Sequence, residues 1–318
     1  MPKQRLFVVD KLSLKKWLEP TLRELFPQDD IQFFSIISFG IHQFDYPKGL
    51  KMHDFPYVGI PQLKEGGSAD LLTKDLIKNT LSQADEIIFA CTPDHTGAVA
   101  FYFMLVSFFG VETAQKEYPV MNLEHYTPSA IKSAVENMGS TADEWFCEKL
   151  RYGVAKRYFE YNFHVNSMAL LGLPLRHIGV DTQNYTMSKN SLQLLYFMEK
   201  QTSPLMFEPL MAHLSKWKGT GKYTSDNQPM RGLGCPASRV VILEDLVKHG
   251  LITLDGENYS ISDKGRQFLK LLHPECYDLD LPYRLHQWCS EWNDSKPKID
   301  RYLKTFFGRQ KRFFGKIN

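Results

Sequence analysis

Cysteine is scarce in this chain. Five of 318 residues are cysteines, and they are scattered at positions 91, 147, 235, 276 and 289. An odd number of scattered cysteines in a chain of this length excludes a disulfide-stapled scaffold. The first residues lack the pattern of a signal peptide, and no apolar run has the length of a membrane-spanning helix. The sequence therefore predicts a reduced, cytoplasmic protein with no membrane partner.

A large excess of charge of one sign is also lacking. Lysine and arginine together number 38, and aspartate and glutamate 36, so the overall charge does not indicate a nucleic-acid partner. The segment 296–318 differs, because it alternates lysine and arginine with Tyr302 and two Phe-Phe pairs. Basic groups neutralise phosphates, and aromatic rings stack on unpaired bases. A solvated basic helix whose aromatic rings pack on the core fits the same pattern, and both interpretations stay open.

Strand-like and helix-like patterns alternate in the first 110 residues. Short apolar runs rich in β-branched residues predict strands, and stretches of helical periodicity predict helices. In chain order these elements are 6–9, 14–25, 31–39, 71–83, 86–91 and 98–109. The alternation predicts an α/β, Rossmann-like fold with a mainly parallel sheet covered by helices on both faces.

The pattern becomes mostly helical after residue 124. Within that part, the segment 236–249 predicts a helix that ends at Gly250. Asp255-Gly256 then predicts the turn of a β-hairpin, and Ser262 caps a further helix. Helix, hairpin and helix in this order predict a winged-helix-like unit at 234–272.

Residues 84–98 carry the most specific motif, which reads Ala-Asp-Glu-Ile-Ile-Phe-Ala-Cys-Thr-Pro-Asp-His-Thr-Gly-Ala. This stretch resembles the acidic strand and loop of the TOPRIM domain of type IA DNA topoisomerases, Asp-Pro-Asp-Arg-Glu-Gly-Glu. Four other segments resemble elements of that family in the same order. They are 6–13, like the opening strand with its Glu-Lys-Pro-Ser signature, then 124–137, 191–200 and 233–242.

The resemblance, which is greatest to topoisomerase III-like members, implies an organisation. We expect a TOPRIM-like domain at 1–140, a helical DNA-binding domain of the central topoisomerase type at 141–295, and a basic aromatic tail at 296–318. The family's gate domains would fall between Lys200 and Pro204, where almost nothing lies. The family's catalytic tyrosine motif is also missing, so the chain resembles a truncated form.

The resemblance also implies which site residues survive. Asp10 and Asp94 match acidic positions, and two carboxylates could hold Mg²⁺ weakly, although a pair of leftover loop acids fits as well. The candidates for a catalytic role are Tyr185, Tyr196 and Lys11, none of which lies in the family's tyrosine motif. The expected DNA-binding residues are Lys11, His95, Asn166, Lys189, Arg231, Arg239, Lys248, Arg309, Lys311 and Arg312.

Three hypotheses follow from these losses. In the first, the protein binds single-stranded or junction DNA without strand passage, as an accessory in DNA processing or mobile-element transfer, with a partner protein supplying catalysis. In the second, it is a Mg²⁺-dependent strand-cleaving enzyme, of topoisomerase or relaxase type, that uses a relocated tyrosine. In the third, it is an adaptor for other proteins. Apart from a possible Mg²⁺, no cofactor is implied.

Overall fold

The computed structural model describes residues 2–36, 44–64, 71–223 and 232–317. The chain forms two compact units. Unit 1 consists of Met1–Tyr46 and Pro61–Ala155, and unit 2 of Pro47–Ile60 and Lys156–Asn318. The chain therefore enters unit 2 twice, first with a short segment and then with its C-terminal half.

Unit 1 contains most of the strands. They are β1 (Gln4–Val9), β2 (Asp30–Ser35), β3 (Phe44–Asp45), β4 (Gln62–Leu63), β5 (Glu86–Phe89), β6 (Pro119–Val120) and β7 (Gly139–Ser140). Its helices are α1 (Lys15–Leu25), α2 (Leu71–Gln83), α3 (His95–Phe109), α4 (Val111–Ala114) and α5 (Pro128–Glu136). The helix α6 (Glu144–Asn166) contributes its first residues to unit 1 and the rest to unit 2.

The main sheet of unit 1 has the strand order β2-β1-β5-β6-β7. β1 pairs in parallel with both β2 and β5, and β5 pairs in parallel with β6. Only the last pair, β6 with β7, is antiparallel. The predicted mainly parallel sheet is therefore confirmed.

Both faces of this sheet are covered, and successive side chains of β1 belong to two different buried clusters. Leu6 and Val8 pack with residues of α2 and α3 on one face. Phe7 and Val9 pack with residues of α1 and α5 on the other. A strand that is apolar at successive positions is typical of a central parallel strand buried on both sides. The apolar run that predicted β1 thus reflects its position in the middle of a layered α/β fold.

Unit 2 is mostly helical. After a π-helical turn at Ser167–Leu171 it contains α7 (Gly172–His177), α8 (Lys189–Glu199), β8 (Leu205–Met206), α9 (Phe207–Ser215), α10 (Pro236–Lys248), β9 (Ile252–Asp255), β10 (Asn258–Ile261), α11 (Asp263–Lys270), α12 (Leu281–Ser290) and α13 (Trp292–Ile317). The predicted hairpin is β9 and β10, and β8 adds a third, antiparallel strand in the order β8-β10-β9. Sequence reasoning missed β8 because two residues carry no alternation.

The basic segment near the C-terminus is part of the long helix α13. Its buried residues include Ile299, Leu303, Phe306 and Phe307. Spacing of three and four residues places these side chains on one face of the helix. Among the helices in the described ranges, none combines the length and the apolar character needed to cross a bilayer.

Candidate nucleic-acid interface

The first candidate site lies where β1 and β5 end. Because these strands run in parallel, their carboxyl ends share one edge of the sheet, which is where ligands bind in open α/β sheets. Asp10 directly follows β1, and its Oδ2 accepts hydrogen bonds from the Thr92 backbone N–H (2.8 Å) and the Thr92 hydroxyl (2.7 Å). One oxygen of Asp10 thus holds the loop after β5 in place.

Asp94 also makes hydrogen bonds to nearby backbone at this edge. It is the N-cap of α3, and its Oδ1 accepts hydrogen bonds from the backbone N–H groups of Thr96 (2.8 Å) and Gly97 (2.9 Å). Such caps satisfy helix donors that otherwise have no partner, and a negative charge there is favoured by the helix dipole. Gly97 is required, because a Cβ at this position would lie 2.4 Å from the Thr92 carbonyl oxygen.

The weak magnesium site expected at Asp10 and Asp94 stays a prediction. Mg²⁺ prefers octahedral coordination by carboxylates and water. Asp10 and Asp94 each use an oxygen for two protein hydrogen bonds. Across the described residues, no three histidine, cysteine, aspartate or glutamate side chains cluster closely enough to hold a metal ion. Both aspartates therefore have a local structural role in the described part of the chain.

Sequence reasoning missed a tyrosine at this edge. Tyr126 is half-buried, and burial raises the pKa of its phenol, while the Thr92 side chain acts in the opposite direction and Asp10 adds to the rise. It precedes Thr127, the N-cap of α5, and no motif marks it. We call Asp10, Thr92, Asp94 and Tyr126 the acidic edge. The buried Cys91 adjoins it, and burial, with help from both aspartates, raises the pKa of that thiol.

His95 lies at the same end of α3, but it faces a helix of unit 1. Its ring contacts the ring of Tyr152, with 4.8 Å between the centroids. The next residue, Gly153, allows α6 to pass close to the first turn of α3, since a Cβ there would lie 2.5 Å from the His95 carbonyl oxygen. Lys11, by contrast, is exposed at the start of the three-ten turn Leu12–Leu14.

The two candidate catalytic tyrosines are core residues of unit 2. Tyr196 is 2% exposed, and its hydroxyl donates to the carbonyl oxygen of Cys276 over 2.8 Å. Tyr185 is 8% exposed and stacks on His249, with ring centroids 4.1 Å apart. Burial raises the pKa of both phenols well above the ordinary value. A buried phenol that is hard to ionise is a poor nucleophile, so this geometry favours structural roles.

Three of the expected DNA-binding side chains make internal contacts in unit 2. Arg239 is 8% exposed and donates to the carbonyl oxygens of Leu233 (3.2 Å) and Gly234 (3.0 Å). Asn166 is fully buried. Its side chain accepts a hydrogen bond from the Tyr57 backbone N–H and donates one to the Tyr57 carbonyl oxygen. The Nζ of Lys189 donates to Asn190 over 3.0 Å, and burial lowers its pKa.

The remaining expected contacts are more accessible. Lys248 is exposed in the last turn of α10, whereas Arg231 lies outside the described residues. On α13, Lys311 donates to the Phe55 carbonyl oxygen (2.7 Å), Arg309 forms an ion pair with Glu275 (2.8 Å), and Arg312 is exposed. The helix α13 therefore carries more exposed lysine and arginine side chains than α10 does.

Five cations of α13 share one face of that helix. Spacings of three and four residues, with Thr305 at the centre, align them opposite the buried face. We call this set the α13 basic stripe; it consists of Lys298, Arg301, Arg309, Arg312 and Lys316. Lys298 lies 3.6 Å from Glu291 and Arg309 is also paired, but within the described ranges Arg301 and Arg312 are exposed and form no ion pair.

The aromatic side chains of this segment point the other way. Phe307 is fully buried, and its ring contacts Phe163 with centroids 5.2 Å apart. Phe306 is 5% exposed and contacts both Phe163 and Tyr302. Of the two interpretations that the sequence left open, the structure supports a basic helix whose aromatic rings pack on the core.

Comparison with known proteins gives a distant similarity. No family model and no curated protein matches the chain. Thirty chains of solved structures match, among them full-length topoisomerase I from Thermotoga maritima, with a TM-score of 0.40 and 15% sequence identity. The match covers 61% of this chain and 29% of that one, so the chain spans less than a third of the length of this neighbour.

Proposed function

We propose that this protein binds single-stranded DNA through the α13 basic stripe and does not cleave it. The supporting observation is a row of exposed cations on one face of a helix whose other face is core. Cations placed along a helix neutralise successive phosphates whatever the base sequence, and single strands leave their bases free for further contacts. A partner protein would supply any cutting step, as expected for an accessory factor in DNA processing.

The elements of unit 2 add a second, weaker surface. We propose that α10, the β9–β10 hairpin and α11 form a winged-helix-like unit, in which α10 would face DNA. The exposed positions of α10 include Val241, Glu244 and Lys248, so this helix offers little positive charge of its own. Its contribution would be to position the strand, and most of the electrostatic attraction would come from the α13 basic stripe.

A second candidate function is DNA cleavage at the acidic edge of unit 1, which would be TOPRIM-like in this proposal. The observation that favours it is the phenol of Tyr126 beside Asp10 and Thr92. Transesterification needs such a hydroxyl, a base and groups that stabilise charge on the phosphorus centre. The hydrogen bonds that already engage Asp10 and Asp94 count against it. If cleavage occurs, Tyr126 is a better candidate than Tyr185 or Tyr196.

The direct test of binding is titration of a fluorescein-labelled 12-nucleotide single strand, followed by anisotropy at several salt concentrations. We expect the logarithm of the affinity to fall linearly with the logarithm of salt, with a slope of about −0.7 for each phosphate neutralised. The double variant R301E/R312E should bind at least tenfold more weakly and with a shallower slope.

The matched control changes the charge by the same amount elsewhere. Lys116 and Lys149 are exposed in unit 1, and K116E/K149E should retain most of the affinity. Equal losses in both double variants would show that only the overall charge matters. No binding by the unaltered protein at low salt would refute the proposal.

A further inference from the structure

A cavity lies beside the α13 basic stripe, within unit 2. Its volume is about 450 Å³, within the range of small-molecule sites. The lining comes from α12, α13 and the loop that precedes α12. Its mouth is at the surface, because Lys298, Arg301 and Thr305 of the exposed face of α13 form part of the wall.

The interior of the cavity combines aromatic rings with one guanidinium. Arg284 lies over the rings of Trp288 (5.5 Å) and Tyr302 (5.2 Å), measured from the guanidinium carbon to each ring centroid. Its Nη2 pairs with the Asp278 carboxylate. This arrangement fixes a flat, cationic surface in the cavity, and such guanidinium planes, like aromatic rings, stack on nucleic-acid bases.

Two buried polar atoms belong to residues that line this cavity. The Nε–H of Arg284 is buried and has no hydrogen-bond partner in the described part of the chain. The hydroxyl of Tyr302 is buried beside the Asp278 carboxylate. Neither atom is accessible to solvent, so a molecule in the cavity would meet the accessible part of the Arg284 side chain, which is 28% exposed.

The charges around the cavity favour an anion. Four cationic side chains line it, against the two carboxylates of Glu275 and Asp278. Arg309 is paired with Glu275 and Arg284 with Asp278, and Lys298 lies 3.6 Å from Glu291 outside the lining. Arg301 forms no ion pair with another described residue and stands at the mouth. A ligand that carries a phosphate outside and a planar group with acceptor atoms inside would satisfy each of these features.

We propose that this cavity is a nucleotide subsite, in which one unpaired base of a bound single strand stacks at Arg284 while the adjoining phosphate contacts Arg301. The proposal rests on the function proposed above and deepens it. A carbonyl oxygen of the base would accept from the accessible part of the Arg284 guanidinium, and an exocyclic amino group would donate to Asp278. The α13 basic stripe would guide the neighbouring phosphates past the mouth.

The test uses deoxycytidine 5′-monophosphate, which carries the phosphate, the carbonyl acceptor and the amino donor. Calorimetric titration of the full chain at low salt should show saturable, one-site binding. Thr305→Trp should plug the mouth and weaken binding at least tenfold, whereas Thr305→Ala should stay within twofold of the unaltered protein. Arg301→Glu should also lose at least tenfold, and Lys304→Glu, exposed on the same helix but not lining the cavity, should not.

The outcomes separate this subsite from the proposed function. Deoxyribose 5-phosphate should bind at least tenfold more weakly than the nucleotide, and equal binding would show that no base enters the cavity. Nucleotide binding unaffected by Thr305→Trp, in a variant whose thermal unfolding is unchanged, would also overturn the subsite. If the 12-nucleotide strand binds but the nucleotide does not, the subsite alone fails. If the nucleotide binds but the strand does not, the subsite stands and the proposed function fails.

Discussion

The acidic edge of unit 1 and the α13 basic stripe of unit 2 both carry charged residues that suggest DNA chemistry, but they use their charge differently. At the acidic edge, one oxygen of Asp10 accepts hydrogen bonds from the loop after β5, and one oxygen of Asp94 caps α3. On the α13 basic stripe, Arg301 and Arg312 are exposed and form no ion pair with other described residues. The role of a charged residue can therefore be inferred only once its hydrogen bonds and ion pairs are known.

The largest expected effect concerns the inner face of α13. Phe307→Ala removes a fully buried ring from the core of unit 2, and truncations of this kind cost about 3–5 kcal/mol. Thermal unfolding followed by circular dichroism should show this loss, whereas Lys304→Ala should change stability by no more than about 0.5 kcal/mol. If both variants unfold like the unaltered protein, α13 does not pack on the core through Phe307. The contrast between the acidic edge and the α13 basic stripe would then fail.

A smaller effect is expected at the acidic edge. Asp94→Ala removes the cap of α3 and should cost about 0.5–2 kcal/mol, whereas Asp94→Asn should cost little, because asparagine caps helices about as well as aspartate. The measurement is thermal unfolding with and without millimolar Mg²⁺. Stabilisation by Mg²⁺ that is present in the unaltered protein and lost in Asp94→Asn would show that the charge, and not the cap, is the important feature.

The fold of unit 1 could be predicted because its signals are local. Apolar runs of strand length predict β1 and β5, whereas the helix predicted over 98–109 begins three residues earlier, at His95, because Asp94 caps it. In unit 2 the hairpin was predictable for the same reason, since Asp255-Gly256 is a strong turn signal. The strands β6, β7 and β8 have two residues each, which is too short for an alternation of apolar and polar residues.

The roles of individual side chains were harder to predict, because they depend on distant parts of the chain. Arg239 looked like a surface cation on a DNA-facing helix. Its guanidinium instead folds back to the loop at Leu233 and Gly234, where Gly232 has a positive φ of 75°. Tyr126 was overlooked, because only the packing of α5 against the sheet brings it to the acidic edge.

The most direct test of the central claim, that this protein holds a DNA strand without breaking it, is a search for a covalent adduct. The protein is incubated with a single strand that is labelled at its 5′ end in one sample and at its 3′ end in another, and with supercoiled plasmid, in Mg²⁺ or Mn²⁺, and then denatured in detergent. We predict an unmodified strand and an intact supercoiled plasmid with either metal, alongside salt-sensitive binding in the same samples. A labelled protein band that is absent in Tyr126→Phe would contradict the account and establish the acidic edge as a cleavage site.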